Sequence, residues 1–148
     1  MGFQAAEQAK NNAKLGCPMR TYKGKTKKKI SVKLIGDAEK AYQDLKKIVG
    51  EQHSKGITSS KDITLLVAID RIFDVISSNP FYGENAKKEL IPREYRQKYG
   101  ADNLFIADLP DYWRMIYTLE SDEIEIIAFV LDIIDHNDYN KKFKFRKK

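Results

Sequence analysis

The chain has one cysteine, Cys17, and two histidines, His53 and His136, in 148 residues. A single thiol permits no internal disulfide, and one cysteine with two distant histidines offers no zinc-ligand spacing. A glycine-rich nucleotide loop is missing as well. The stretch "YKGKTKKK" brings Gly24, Lys25 and Thr26 together, but a phosphate loop needs a glycine at the position of Met19, and no strand precedes it. No Ser-His-Asp order of a hydrolase triad is present. The longest apolar run, "IIAFVL" at 126–131, is far shorter than the ~20 residues of a membrane helix. The N-terminal "MGFQAAEQAKNNAK" lacks the apolar core of a secretory signal. A cytoplasmic protein with no cofactor, no metal and no membrane partner is therefore expected.

Acidic residues are scarce at both ends. Residues 1–33 carry nine Lys/Arg and one acid, Glu7, while residues 141–148 carry six Lys/Arg and none. The stretch between them is net acidic, so the overall charge of +6 conceals a basic, acidic, basic division. Basic ends suit solubility or phosphate contact, and admit RNA, DNA or an acidic protein without choosing among them. The length suits a single core. Residues 1–28 lack sustained periodicity and read as a basic extension; residues 29–148 read as one domain with a basic C-terminal tail.

Periodicity organises that domain. "KISVKLI" alternates Ile30, Val32 and Leu34 against Ser31 and Lys33, which predicts a strand over 29–35 buried on one face. Ala38, Ala41, Tyr42, Leu45, Ile48 and Val49 recur at helical spacing, with Asp37 placed to cap that helix. A capping serine in "TSSKD" opens a second helix through Ile63, Leu66, Ile69, Ile72, Phe73 and Ile76, stopped by Asn79 and Pro80. Residues 81–102 read as a loop with a helical turn at 93–98. Then "LFIADL", "YWRMIYTL" and "EIEIIAFVLDI" follow with tight turns between them, predicting an antiparallel meander. The last of these is nearly all apolar, which places it centrally with both faces covered. "HNDYNKKF" predicts a short closing helix.

This order of strand, two helices, three-stranded meander and short helix, together with "LPDYWRMIY" and "DIIDHNDYNKKF", resembles the RelE/ParE superfamily of toxin-antitoxin toxins over about residues 29–145. The resemblance implies an α+β fold, with a helix hairpin on one face of a small twisted antiparallel sheet. It also implies a cognate antitoxin that lays an apolar segment across the toxin. RelE-like members cleave mRNA on the ribosome without a metal, whereas ParE-like members inhibit DNA gyrase and are not nucleases. A degenerate toxin kept as an interaction module, or a simple RNA-binding domain, are the other non-enzymatic readings.

Metal-free RNA cleavage requires a base for the 2′-hydroxyl, a cation for the phosphate and an acid for the leaving oxygen. Arg114 alternates with Trp113, Met115 and Tyr117, so it points away from the face those residues bury, and a guanidinium suits a phosphate. A structural ion pair with Glu125 or Asp132 is its competing role. His136 can exchange a proton near neutral pH, with Asp135 or Glu94 as a carboxylate partner; its competing role is a surface or capping residue. Tyr139 lies one helical turn on and can share a cleft with His136, or simply pack the helix. Arg114, His136 and Tyr139 are the candidate catalytic residues. Lys87, Lys88, Lys141, Lys142 and Arg146 are the candidate RNA contacts, although solvated lysines are commoner. One departure from the RelE pattern stands out: the strand before the arginine reads "NLFIADLP" and carries Asp108 where mRNA-cleaving members alternate basic residues.

Overall fold

A computed structural model describes residues 28–143. Residues 1–27 of the basic extension, and Arg146, lie outside those residues. The elements run β1 (Lys29–Leu34), α1 (Gly36–Ser54), α2 (Lys61–Ser78), β2 (Glu84–Asn85), α3 (Arg93–Tyr99), β3 (Phe105–Asp108), β4 (Arg114–Ser121), β5 (Glu125–Ile134) and α4 (His136–Phe143). Short 3₁₀ turns sit at Lys88–Leu90 and Pro110–Tyr112. The α2 cap is as the sequence suggests, Ser60 Oγ accepting from the Ile63 N–H at 3.1 Å. In α1 the N-cap is Ile35, and Asp37 instead occupies the first turn.

The five strands among the described residues form one sheet in the order β1-β5-β4-β3-β2. The meander β3-β4-β5 is antiparallel. β1 lies beside β5, as the last strand's central character requires, but runs parallel to it, from Lys29↔Glu125 to Leu34↔Val130. The sheet is thus mixed rather than wholly antiparallel. Alternation fixes which side chains face a core, not the direction in which a strand is laid down. Here the helical crossover and the three meander strands return the chain in the direction of β1.

Two apolar layers flank the sheet. On one face the helix hairpin, through Ala38, Leu45, Val49, Leu65, Ile69, Ile72 and Ile76, packs on Met115, Tyr117, Ala128, Val130 and Ile133. On the other, α3 and α4 supply Tyr95 and Phe143 against Ile106, Ile116, Leu131 and Ile134. β5 is therefore covered on both sides. Fully burying one such aliphatic side chain contributes ~1.5–3 kcal/mol, so each layer is a substantial fraction of the fold's stability. Tyr117 ties the loop after α2 to this core: its hydroxyl donates to the Pro80 carbonyl and accepts from the Gly83 N–H, both at 2.8 Å. Burial pushes that hydroxyl up to about 12.

One irregularity bears on function. The β4–β5 register passes from Ile116↔Asp132 to Tyr117↔Val130, which leaves Leu131 outside the ladder as a bulge. Bulges re-aim side chains, and Asp132 faces α3 and α4 from this point. Among the described residues, no helix is long and apolar enough to cross a membrane.

Candidate functional site

Arg114 opens β4 opposite Ile134, the last residue of β5. Two residues after Ile134 the chain enters α4, so the arginine and the first turns of that helix meet at one end of the sheet. Alternation sends Arg114 away from Met115 and Tyr117 onto the face that α4 covers. There its guanidinium carbon lies 4.9 Å from the centroid of the Tyr139 ring. Tyr139 in turn stacks on Phe143, with centroids 4.6 Å apart, and burial pushes its hydroxyl up against the opposing pull of Arg114.

The arginine is not a free surface cation. Its side chain is 18% exposed, and Nε stands 3.2 Å from Asp108 Oδ1. Nη1 donates to the carbonyls of Tyr112 at 2.8 Å and Trp113 at 3.3 Å. Its ion-pair partner is neither Glu125 nor Asp132. Asp108 takes that role because it is the cross-strand neighbour of Arg114 in the β3–β4 ladder.

His136 is exposed at the start of α4. Its ring centroid lies 5.6 Å from that of Tyr112, and the Asn140 amide nitrogen is 3.2 Å from Nε2. In the tautomer that carries its proton on Nδ1, the ring accepts from that amide at Nε2. Neither carboxylate expected beside His136 is paired with it. Asp135 caps α4, accepting from the Asp138 N–H at 2.9 Å, and Glu94 pairs with Lys142 at 2.5 Å. Arg114, Tyr139 and His136 therefore converge on one end of the sheet, joined through Tyr112, which the sequence reading passed over.

The lysines fall elsewhere. Lys87 and Lys88 are exposed beside the first 3₁₀ turn. Lys141 and Lys142 line a cleft of about 600 Å³ at the far end of α4, together with Glu89, Arg93 and Glu94. Lys142 is largely committed: besides Glu94 it lies 3.6 Å from Asp132. Asp132 is 4% exposed and accepts from the Tyr95 hydroxyl at 2.8 Å. Burial pushes its carboxyl up, against the opposing effects of Tyr95 and Lys142. This buried carboxylate holds α3 and α4 to the sheet, and the lone acid in "IIAFVLDII" was the signal for it.

An apolar groove of about 280 Å³ adjoins the same end of the sheet, between the hairpin and Trp113, Ile133 and Ile134, with Asp44, Asp62, Asp135 and Asp138 also in its lining. Among the described residues, no group of three or more His, Cys, Asp or Glu could hold a metal ion. Chemically, the site offers one guanidinium, one imidazole and two phenols, set among carboxylates. Comparison with family models, with curated proteins and with solved structures finds no match.

Proposed function

We propose that the chain is a RelE-like toxin of a type II toxin-antitoxin module, an endoribonuclease that cleaves mRNA on the ribosome without a metal. The observation that supports this reading is the convergence of Arg114, Tyr139 and His136 at one end of the meander. In this reading the 2′-oxygen attacks the adjacent phosphorus, and the bond from phosphorus to the 5′-oxygen breaks. His136 takes the proton from the 2′-hydroxyl and gives one to the leaving 5′-oxygen, Arg114 stabilises the charge on the phosphate oxygens, and Tyr139 orients the substrate or assists transfer. Lys87, Lys88, Lys141 and Arg146 contact the RNA backbone. The ribosome presents the mRNA in a cleavable geometry, which a site with so few polar groups does not impose by itself. A cognate antitoxin seats an apolar segment in the groove beside Trp113, and the groove's carboxylates favour Lys or Arg flanking its apolar anchors.

A second reading, a non-enzymatic binder such as a gyrase inhibitor, is favoured by one observation: Asp108 already neutralises Arg114. Translation with a defined A-site mRNA separates the two. End mapping on wild type, Arg114→Ala and His136→Ala should show cleavage by wild type alone. Intact mRNA with halted gyrase would establish the binder instead.

A further inference from the structure

Asp111 and Tyr112 both adopt left-handed backbone, with φ of 60° and 64°. Side chains are strained in that region and glycine is favoured there. Two successive non-glycine residues persist in it only if the surroundings hold them. Arg114 does so through the Tyr112 carbonyl, while the Leu109 N–H donates to the Trp113 carbonyl at 2.9 Å and the Trp113 N–H to the Pro110 carbonyl at 3.3 Å. The strain gains little burial in return, because Tyr112 is 70% exposed. Its ring is nevertheless positioned, tilted by 53° against His136 at 5.6 Å. Backbone strain that presents an exposed aromatic ring beside a candidate catalytic group motivates a functional reading.

We propose that Tyr112 is a stacking platform for one unpaired nucleobase of the substrate, backed by His136 and held in place by Arg114. The inference rests on the RNA-cleaving reading and names its substrate contact. A base rather than a phosphate suits this spot. Asp111, the chain neighbour of Tyr112, disfavours a phosphate at that ring but offers an acceptor to the exocyclic amine of a base. Every base offers a π-face, so one exposed ring can orient single-stranded RNA without reading much sequence. Arg114 is then a positioning residue for the base as well as a contact for the neighbouring phosphate.

The test uses the full chain and short single-stranded RNA carrying 2-aminopurine at each position in turn, whose fluorescence is quenched on stacking. Wild type and Tyr112→Phe should quench at one position. Tyr112→Gly should lose that quench and bind about tenfold more weakly, the size expected for one base–aromatic stack. Its melting temperature should be unchanged or higher, because glycine relieves the left-handed strain. A Tyr112→Gly chain that melts lower and binds RNA as tightly as wild type would show the ring to be packing only, and overturn the proposal. So would loss of affinity for a lysine-rich peptide with RNA binding intact, since the ring would then hold a cation from a protein partner. Cleavage of A-site mRNA keeps the two levels apart. If wild type and Tyr112→Gly cut equally fast at the same sites, the platform is wrong and the enzyme stands. If wild type neither cuts nor binds RNA, both fall.

Discussion

The carboxylate of Asp108 and the guanidinium of Arg114 face each other across neighbouring strands, 3.2 Å apart, with the acid 85% exposed and the base 18%. An exposed partner of this kind can swing into solvent when a phosphate arrives. Asp108→Asn should therefore raise RNA affinity about fivefold, the effect of ~1 kcal/mol from one unit charge in a water-like dielectric. Stability should change by less than ~1 kcal/mol, as for surface pairs generally. Anisotropy titrations with labelled RNA at several salt concentrations measure this. Unchanged affinity would count against phosphate binding at Arg114.

Arg114→Ala should lower the mRNA cleavage rate about 10²–10³-fold, the usual cost of one electrostatic stabiliser. The substitution should not be silent for the fold, because the charge-assisted bonds to the Tyr112 and Trp113 carbonyls go with it. A loss of ~1.5–3 kcal/mol in stability is expected. Arg114→Lys keeps the charge without the planar fork and should recover stability and rate only in part. Urea denaturation beside end-mapped cleavage assays separates the two contributions.

Asp132 links pH to stability with a sign opposite to that of a salt-bridged surface acid. Its carboxyl lies above its ordinary value of 3.8 because burial disfavours the charge. The folded chain therefore binds this proton more tightly than the unfolded one. The stabilisation it contributes is complete below the unfolded value and is lost as pH rises through the folded one. Asp132→Asn keeps an acceptor for the Tyr95 hydroxyl and removes the charge. The variant should be more stable than wild type at neutral pH, and its advantage should shrink as pH falls toward 3.8. Denaturation curves for both proteins across that range check this, and a constant difference would contradict it.

Gly36 turns the chain from β1 into α1 at φ +55°, and a Cβ there would run into the Tyr99 hydroxyl. That hydroxyl is buried without a hydrogen-bond partner among the described residues. Gly36→Ala should cost more than the ~1 kcal/mol of left-handed strain, because the clash adds to it. Tyr99→Phe should be neutral or stabilising, since it removes an unsatisfied polar group, and should restore part of the loss in the double variant. Thermal melts of the four proteins give the coupling directly.

The residues that the sequence reading located best are those whose neighbours are fixed by periodicity. Val32 and Leu34 alternate, Ile69, Ile72 and Ile76 recur along a helix face, and both sets pack against the core as expected, whereas Leu65, which that spacing did not single out, is buried more fully than Ile63 and Leu66 beside it. The helical turn read at 93–98 is α3, Arg93–Tyr99. What escaped depends on contacts distant in sequence. The parallel direction of β1 follows from the path of the whole chain. The pairing of Asp108 with Arg114 depends on a register that a single strand does not encode. The two-residue β2 is too short to alternate, and the burial of Asp132 depends on a bulge and on Tyr95 from another element. Of the candidate site, Arg114 and Tyr139 are brought together and His136 lies beside them. Asp135 and Glu94 are diverted to a helix cap and to Lys142.

The pairing of Lys29 with Glu125 also sets an order of events during synthesis. Among the described strands β1 is made first, but the partner it has there is made last, so that pairing waits until most of the chain exists. Its exposed Lys29 and Lys33 are the kind of charge that keeps a waiting edge from annealing to a stranger. The meander, whose partners are close in sequence, closes without that delay. Since α4 follows β5 directly, the end of the sheet where Arg114 and Tyr139 meet takes shape only after both of those elements have been made.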